Sequence, residues 1–159
     1  MTDEWKGKCK CGCIEFELNG APMMNVLCHC KNCTTGLGCG CSIHLYLAAT
    51  SDNWSITKGE EHVKMFEGGG ALRFWRCTEC GSPVMQGPEG APFRAFYPRT
   101  FEGYVDGKCN KIPDSLKPKM HINYENRAWD VNDDLPKYAA FPPNNMVNNN
   151  GSPCETKEE

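Results

Sequence analysis

The chain has 159 residues, with 17 basic and 20 acidic side chains, a net charge of -3 and ordinary apolar content. That length suggests one domain able to bury a core without cross-links. The charge balance offers no basic surface for nucleic acid or an anionic membrane, and no stretch reaches the ~20 apolar residues of a membrane helix.

Taken in chain order, residues 1–8 are polar and lack the apolar core of a secretory signal. The expected compartment is therefore the cytoplasm, where thiols stay reduced. The turn Cys9-Lys10-Cys11-Gly12 leads into Ile14, Phe16 and Leu18, which alternate with Glu15 and Glu17 as a half-buried strand does. Asn19-Gly20 breaks it. The run Cys28-His29-Cys30-Lys31-Asn32-Cys33 follows, then Cys39-Gly40-Cys41. Ile43, Leu45 and Leu47 alternate with His44 and Tyr46 in a second strand. Further short strands are expected over 54–57, 63–66 and 72–76, separated by Lys58-Gly59 and a turn at Gly68-Gly69-Gly70. Cys77-Thr78-Glu79-Cys80-Gly81 comes next, then a break at Gly87-Pro88, a strand over 121–124 and a short turn near Trp129. Long helical periodicity is absent, so the expected fold is mostly β with many turns. Residues 1–141 read as one zinc domain. Residues 142–159, rich in Asn and Pro and ending in charge, read as a disordered tail in which Cys154 is a free surface thiol.

Twelve cysteines are the outlier. In a reducing compartment, cysteines in close pairs read as metal ligands. Cys77-x-x-Cys80-Gly81 is an ordinary zinc half-site, and Cys9-x-Cys11-Gly12 is its natural complement. Together they make a closed four-thiolate site, which is structural because no position remains for chemistry. Cys28, Cys30 and Cys33 supply three more ligands within one short run. Their fourth position is either open, as in catalytic zinc, or closed by Cys39 or Cys41 across the loop 34–38. An open zinc binds soft thiolate sulfur well, which points to thiol or thiol-adduct chemistry. Cys13 reads as a spare thiol beside the first site, and Cys109 as incidental. His29 should project away from a metal held by its neighbours. His44 and His62 read as solvent-facing, and His121 as a packed histidine.

Assembled, these motifs resemble the family of glutathione-dependent formaldehyde-activating enzymes, also called the CENP-V/GFA domain family, over Gly7 to about Tyr138. Gly7 to Phe16 is similar to the family's opening Gly-x-Cys-x-Cys-Gly strand. Cys28 to Cys33 with Thr35-Gly36 resembles its Cys-His-Cys-x-x-Cys motif, and Cys77 to Ser82 its Cys-x-x-Cys-Gly-Ser motif. Pro118 to Ile122, with Trp129 downstream, resembles the closing Pro-x-x-His-Ile…Trp segment. The resemblance implies a β-tent (Mss4-like) fold of twisted antiparallel sheets. It implies structural zinc on Cys9, Cys11, Cys77 and Cys80, catalytic zinc on Cys28, Cys30 and Cys33, and glutathione or its adduct as partner. The implied activity joins formaldehyde to glutathione, a carbon–sulfur lyase reaction run in reverse. The chain departs from the pattern at Arg76, at Arg99-Thr100-Phe101-Glu102 and in the extra pair Cys39 and Cys41. His44, Tyr46, Arg73 and Tyr97 are candidates for the pocket neighbourhood, with no acid/base residue assigned. The alternative function is a non-catalytic zinc-stapled protein-interaction module.

Overall fold

The computed structural model describes residues 4–104, 107 and 111–155. Cys109 lies outside them. The chain divides into two compact units, the first formed by Met1–Asn25 with Leu45–Lys117 and the second by Val26–His44 with Pro118–Glu159. Both are mostly β. The strands in chain order are β1 (Trp5–Lys8), β2 (Glu15–Leu18), β3 (Met24–Cys28), β4 (Ile43–Ala48), β5 (Trp54–Lys58) and β6 (Val63–Gly69). They continue with β7 (Leu72–Cys77), β8 (Pro83–Pro88), β9 (Arg94–Phe96), β10 (Met120–Ile122), β11 (Lys137–Tyr138) and β12 (Met146–Val147). Among the described residues one α-helix, α1 (Lys31–Leu37), follows β3.

In the first unit, β1, β2 and β5 form a small antiparallel sheet. The expected alternation holds in β2, where Phe16 and Leu18 are buried and Glu15 and Glu17 exposed. β4, β9, β8, β7 and β6 hydrogen-bond in that order, each pair antiparallel. The glycine run closes the β6–β7 hairpin, where Gly69 and Gly70 take positive φ. The core gathers Ile14, Phe16, Leu18, Tyr46, Val84, Met85, Phe96, Phe101 and Leu116 around the buried Cys9 and Cys77. The Phe16 ring lies 4.9 Å from that of Phe96 and 6.1 Å from that of Phe101. Gly7 pairs directly with Phe16 across β1 and β2. A Cβ on Gly7 would stand 2.2 Å from the ring, so the aromatic fills the space a side chain would need.

In the second unit, β10 pairs in parallel with both β3 and β11, and β11 pairs antiparallel with β12. Residues 142–155, which composition assigns to a disordered tail, carry β12 and a hydrogen-bonded turn. Asn148 Nδ2 donates to Ser152 Oγ at 3.1 Å, and the Cys154 amide donates to the Met146 carbonyl at 3.0 Å. The Tyr124 hydroxyl donates to the Asn149 carbonyl, and Arg127 donates to that of Asn150 at 3.0 Å. Asparagine side chains here close local turns while remaining exposed. Cys154 is half-buried, with its thiol 3.6 Å from Asn148 Oδ1.

Candidate metal centres

The first centre is built from two turns. β1 runs into Cys9, whose amide donates to Ile14 O at 3.0 Å while Gly12 N donates to Cys9 O at 3.0 Å. β7 ends at Cys77, where Gly81 N donates to Cys77 O at 2.8 Å. Gly12 and Gly81 have φ of 81° and 73°, the left-handed backbone that lets each turn reverse after its second cysteine. Lys10 N donates to Ser82 Oγ at 3.1 Å, tying one turn to the other. The four sulfurs of Cys9, Cys11, Cys77 and Cys80 all lie within 4.8 Å of one another, with Cys9 to Cys11 at 3.5 Å and Cys11 to Cys77 at 3.8 Å. A tetrahedron of sulfurs ~2.3 Å from zinc has edges of ~3.8 Å, so the quartet is spaced for such an ion. Backbone N–H groups already face the sulfurs: Ile14 N donates to Cys9 Sγ at 3.3 Å and Glu79 N to Cys77 Sγ at 3.4 Å. Burial pushes the Cys80 thiol up, but the Ser82 hydroxyl and amide and Cys11 outweigh it and draw the group down to about 6. The Cys13 amide draws Cys11 down, yet the Cys13 thiol, burial and Cys80 leave it at about 11. Neighbouring thiols cannot all ionise without a cation among them, which is the condition a metal satisfies. Cys13 is half-buried beside Cys11.

The second cluster lies at the end of β3 and the start of α1. Cys28 and Cys33 are buried and Cys30 is half-buried. The Cys33 thiol contributes most to lowering Cys28, burial opposes it, and the Asn123 amide and Cys30 N–H bring it to about 7. Asn123 sits after β10 with φ of 52°, a left-handed conformation unusual for a residue with a side chain. Its Nδ2 is 3.4 Å from Cys28 Sγ. The Cys30 carbonyl accepts from Thr34 N at 3.0 Å and from Thr34 Oγ1 at 2.9 Å, fixing the first turn of α1. The three thiols are a donor set suited to a thiophilic ion. Among the described residues, however, the quartet is the one group of three or more ligand atoms within 4.8 Å of one another, so Cys28, Cys30 and Cys33 are not all drawn that close, nor do Cys39 and Cys41 join them.

His29 is buried in the interior, only 1% exposed. Its Nε2 is 2.8 Å from Nδ1 of His121, and His121 Nε2 is 2.8 Å from Asp133 Oδ2. Lys137, itself 1% exposed, donates from Nζ to Asp133 Oδ1 at 2.6 Å and to Leu135 O at 3.1 Å. Burial, then the positive groups of His121, Arg127 and Lys137, push His29 down to about 4, with the Cys41 carbonyl opposing. Cys41 Sγ is 3.6 Å from His29 Nδ1. The packed histidine expected at position 121 is therefore the centre of a buried chain, Lys137–Asp133–His121–His29. Sequence reasoning missed Asn123, Asp133 and Lys137. No motif or spacing marks them in the sequence; the parallel pairing of His121 with Lys137 brings the group together.

The other candidates lie elsewhere. His44, expected to face solvent, is half-buried, and burial pushes it down to about 4. His62 lies 3.6 Å from Glu61 and 3.5 Å from Glu79 on the surface. Tyr46 is buried, its hydroxyl 3.5 Å from the Gly20 carbonyl. Tyr97 donates its hydroxyl to Gln86 Oε1 at 2.9 Å, and Arg73 pairs with Glu89 at 2.8 Å where β7 begins and β8 ends.

Fold and site together define a mostly β protein with four cysteine thiols placed so that they could hold a metal ion. The sequence model of the glutathione-dependent formaldehyde-activating enzymes matches residues 4–126. The chain belongs to that family. A crystal structure of a Rhodobacter sphaeroides protein is similar at 20% identity and a TM-score of 0.49, over 62% of this chain and 88% of that one. No curated protein matches the chain. Among the described residues no helix is long and apolar enough to cross a membrane.

Proposed function

We propose that the chain is a zinc enzyme that joins formaldehyde to a small thiol such as glutathione. In this reading Cys9, Cys11, Cys77 and Cys80 hold a structural zinc, and Cys28, Cys30 and Cys33 hold a second zinc with one position open. The observation that carries it is the Asn123 amide, aimed from a left-handed backbone at the buried Cys28 sulfur. A hydrogen-bond donor in that place favours the thiolate, the form in which cysteine binds metal. The family's name supports the choice of substrates.

Zinc bound there would supply a Lewis-acidic position with affinity for thiolate sulfur. The chain's own residues do the rest. Asn123 and the Cys30 N–H hold charge on Cys28. His29 is turned inward, with its Nε2 engaged by His121 at 2.8 Å. In the reaction, the substrate sulfur adds to the carbonyl carbon, the C=O π bond opens, and the thiol proton ends on the oxygen. The test is zinc per chain together with adduct formation from glutathione and formaldehyde. Two zincs in the wild type, one in Cys30→Ser and loss of turnover in that variant support the reading. Unchanged turnover in Cys30→Ser sinks it.

A further inference from the structure

The match to the family model ends at residue 126, and both Asp133 and Lys137 lie beyond it. Yet they complete a hydrogen-bonded chain that anchors the His29 side chain to β10 and to the segment that follows it. The His29 amide is fixed by donation to Ile122 O at 3.1 Å, part of the β3–β10 pairing. Its ring is fixed by His121 at 2.8 Å, and His121 by Asp133 at 2.8 Å. Lys137 locks the other carboxylate oxygen at 2.6 Å, and Leu135 N donates to that oxygen at 3.1 Å. Both histidine rings and the lysine are 1% exposed or less, so water does not replace a lost partner.

His29 is covalently placed between Cys28 and Cys30. A residue held at both its amide and its ring restrains the backbone that aims both sulfurs. The three sulfurs are not gathered as tightly as the quartet, so their approach to an ion depends on how that backbone is held. Partners one shell beyond metal ligands commonly act in this way.

We propose that Asp133, held by Lys137, is a positioning residue for the metal site of Cys28, Cys30 and Cys33, acting through His121 and His29. The inference rests on the reading that those three cysteines bind a metal.

The experiment titrates full-length, metal-stripped protein with Co²⁺ against a competing chelator and follows thiolate-to-cobalt absorption, with Zn²⁺ competition as a second readout. The variants are Asp133→Asn, Asp133→Glu and Tyr124→Phe. Tyr124→Phe removes a hydroxyl that accepts from Val131 N at 2.8 Å and donates to Asn149 O, loosening the same unit while keeping the ring that packs against His29 and His121. The quartet serves as an internal reference. Asp133→Asn is expected to weaken the second metal by about 10- to 100-fold and leave the first unchanged. Asp133→Glu should recover much of the loss, and Tyr124→Phe should bind as the wild type does. Equal affinity in wild type and Asp133→Asn overturns the proposal. So does an equal loss in Tyr124→Phe, or loss of both metals together in Asp133→Asn, since either marks a general structural effect. A wild type that takes one metal overturns both this proposal and the second-zinc reading beneath it, whereas two metals with no effect of Asp133 overturns this proposal alone.

Discussion

The pair Gly7 and Phe16 tests the packing of the first unit most sharply, because the structure predicts the sign of their coupling. Phe16 is 1% exposed and its ring is wedged against Phe96 and Phe101. A Cβ on Gly7 would meet three ring atoms at 2.2, 2.6 and 2.8 Å, well inside contact distance. The ring cannot retreat without displacing two other buried aromatics. Gly7→Ala alone should therefore cost about 1–3 kcal/mol by overpacking. Phe16→Ala alone should cost about 3–5 kcal/mol through lost burial and a residual cavity. At about 2–4 °C per kcal/mol for a chain of this size, Phe16→Ala lowers the melting temperature by about 6–20 °C. In the double variant the clashing atoms are gone and the new methyl takes up part of the vacated space. The double variant should then be no less stable than Phe16→Ala, a coupling of about 1–3 kcal/mol in its favour. Urea denaturation of the metal-loaded proteins measures all four corners of the cycle. Costs that add to within about 0.5 kcal/mol would show that the ring does not occupy the Gly7 side-chain space, and the reasoning fails.

Three further outcomes are expected. Cys77→Ser should remove one metal per chain and lower the melting temperature of the first unit, and a strong chelator should do the same to the wild type; unchanged melting in both would deny the quartet a structural metal. Burial raises the Asp133 carboxyl, but Lys137 and His121 outweigh it and hold it below the usual range. Its stabilisation is therefore complete above the unfolded value of about 3.9 and is lost as pH falls below about 4. The stability gap between wild type and Asp133→Asn should close over that window, and a gap that is constant from pH 6 to 3 counts against the assignment. His44 is pushed down by burial to about 4, so the folded protein resists its protonation while the unfolded chain takes the proton near about 6.5. Stability should fall from pH 7 to pH 5 more steeply in the wild type than in His44→Gln, as read from urea midpoints at the two pH values; parallel falls would place His44 in solvent.

The parts of the fold legible in sequence are those where one physical rule acts alone. Alternation marks β2 because Phe16 and Leu18 face a core while Glu15 and Glu17 face water. The quartet is legible because two turns of fixed geometry, each closed by a glycine, leave their thiols no other common use. β8 escapes the same reading because the consecutive residues Val84, Met85 and Gln86 are all buried, which erases the period of two. The helix α1 escapes because it is seven residues long, too short for a periodic face. The asparagine-rich stretch misleads by composition, since its order comes from side chains that close their own turns and from Tyr124 and Arg127.

The Lys137–Asp133–His121–His29 chain illustrates a different limit. Each member reads alone as an ordinary loop acid, a surface lysine or a packed histidine, and no spacing rule links position 29 to position 133. The link is made by topology: β10 pairs on one side with β3, which ends at Cys28, and on the other with β11, which begins at Lys137. His121, in the middle strand, can therefore face both at once. A lysine and an aspartate in that setting cost desolvation that an apolar pair would avoid. Their presence there is more readily understood if the histidines must be held in one orientation, and the adjacent residues that such an orientation controls are Cys28 and Cys30.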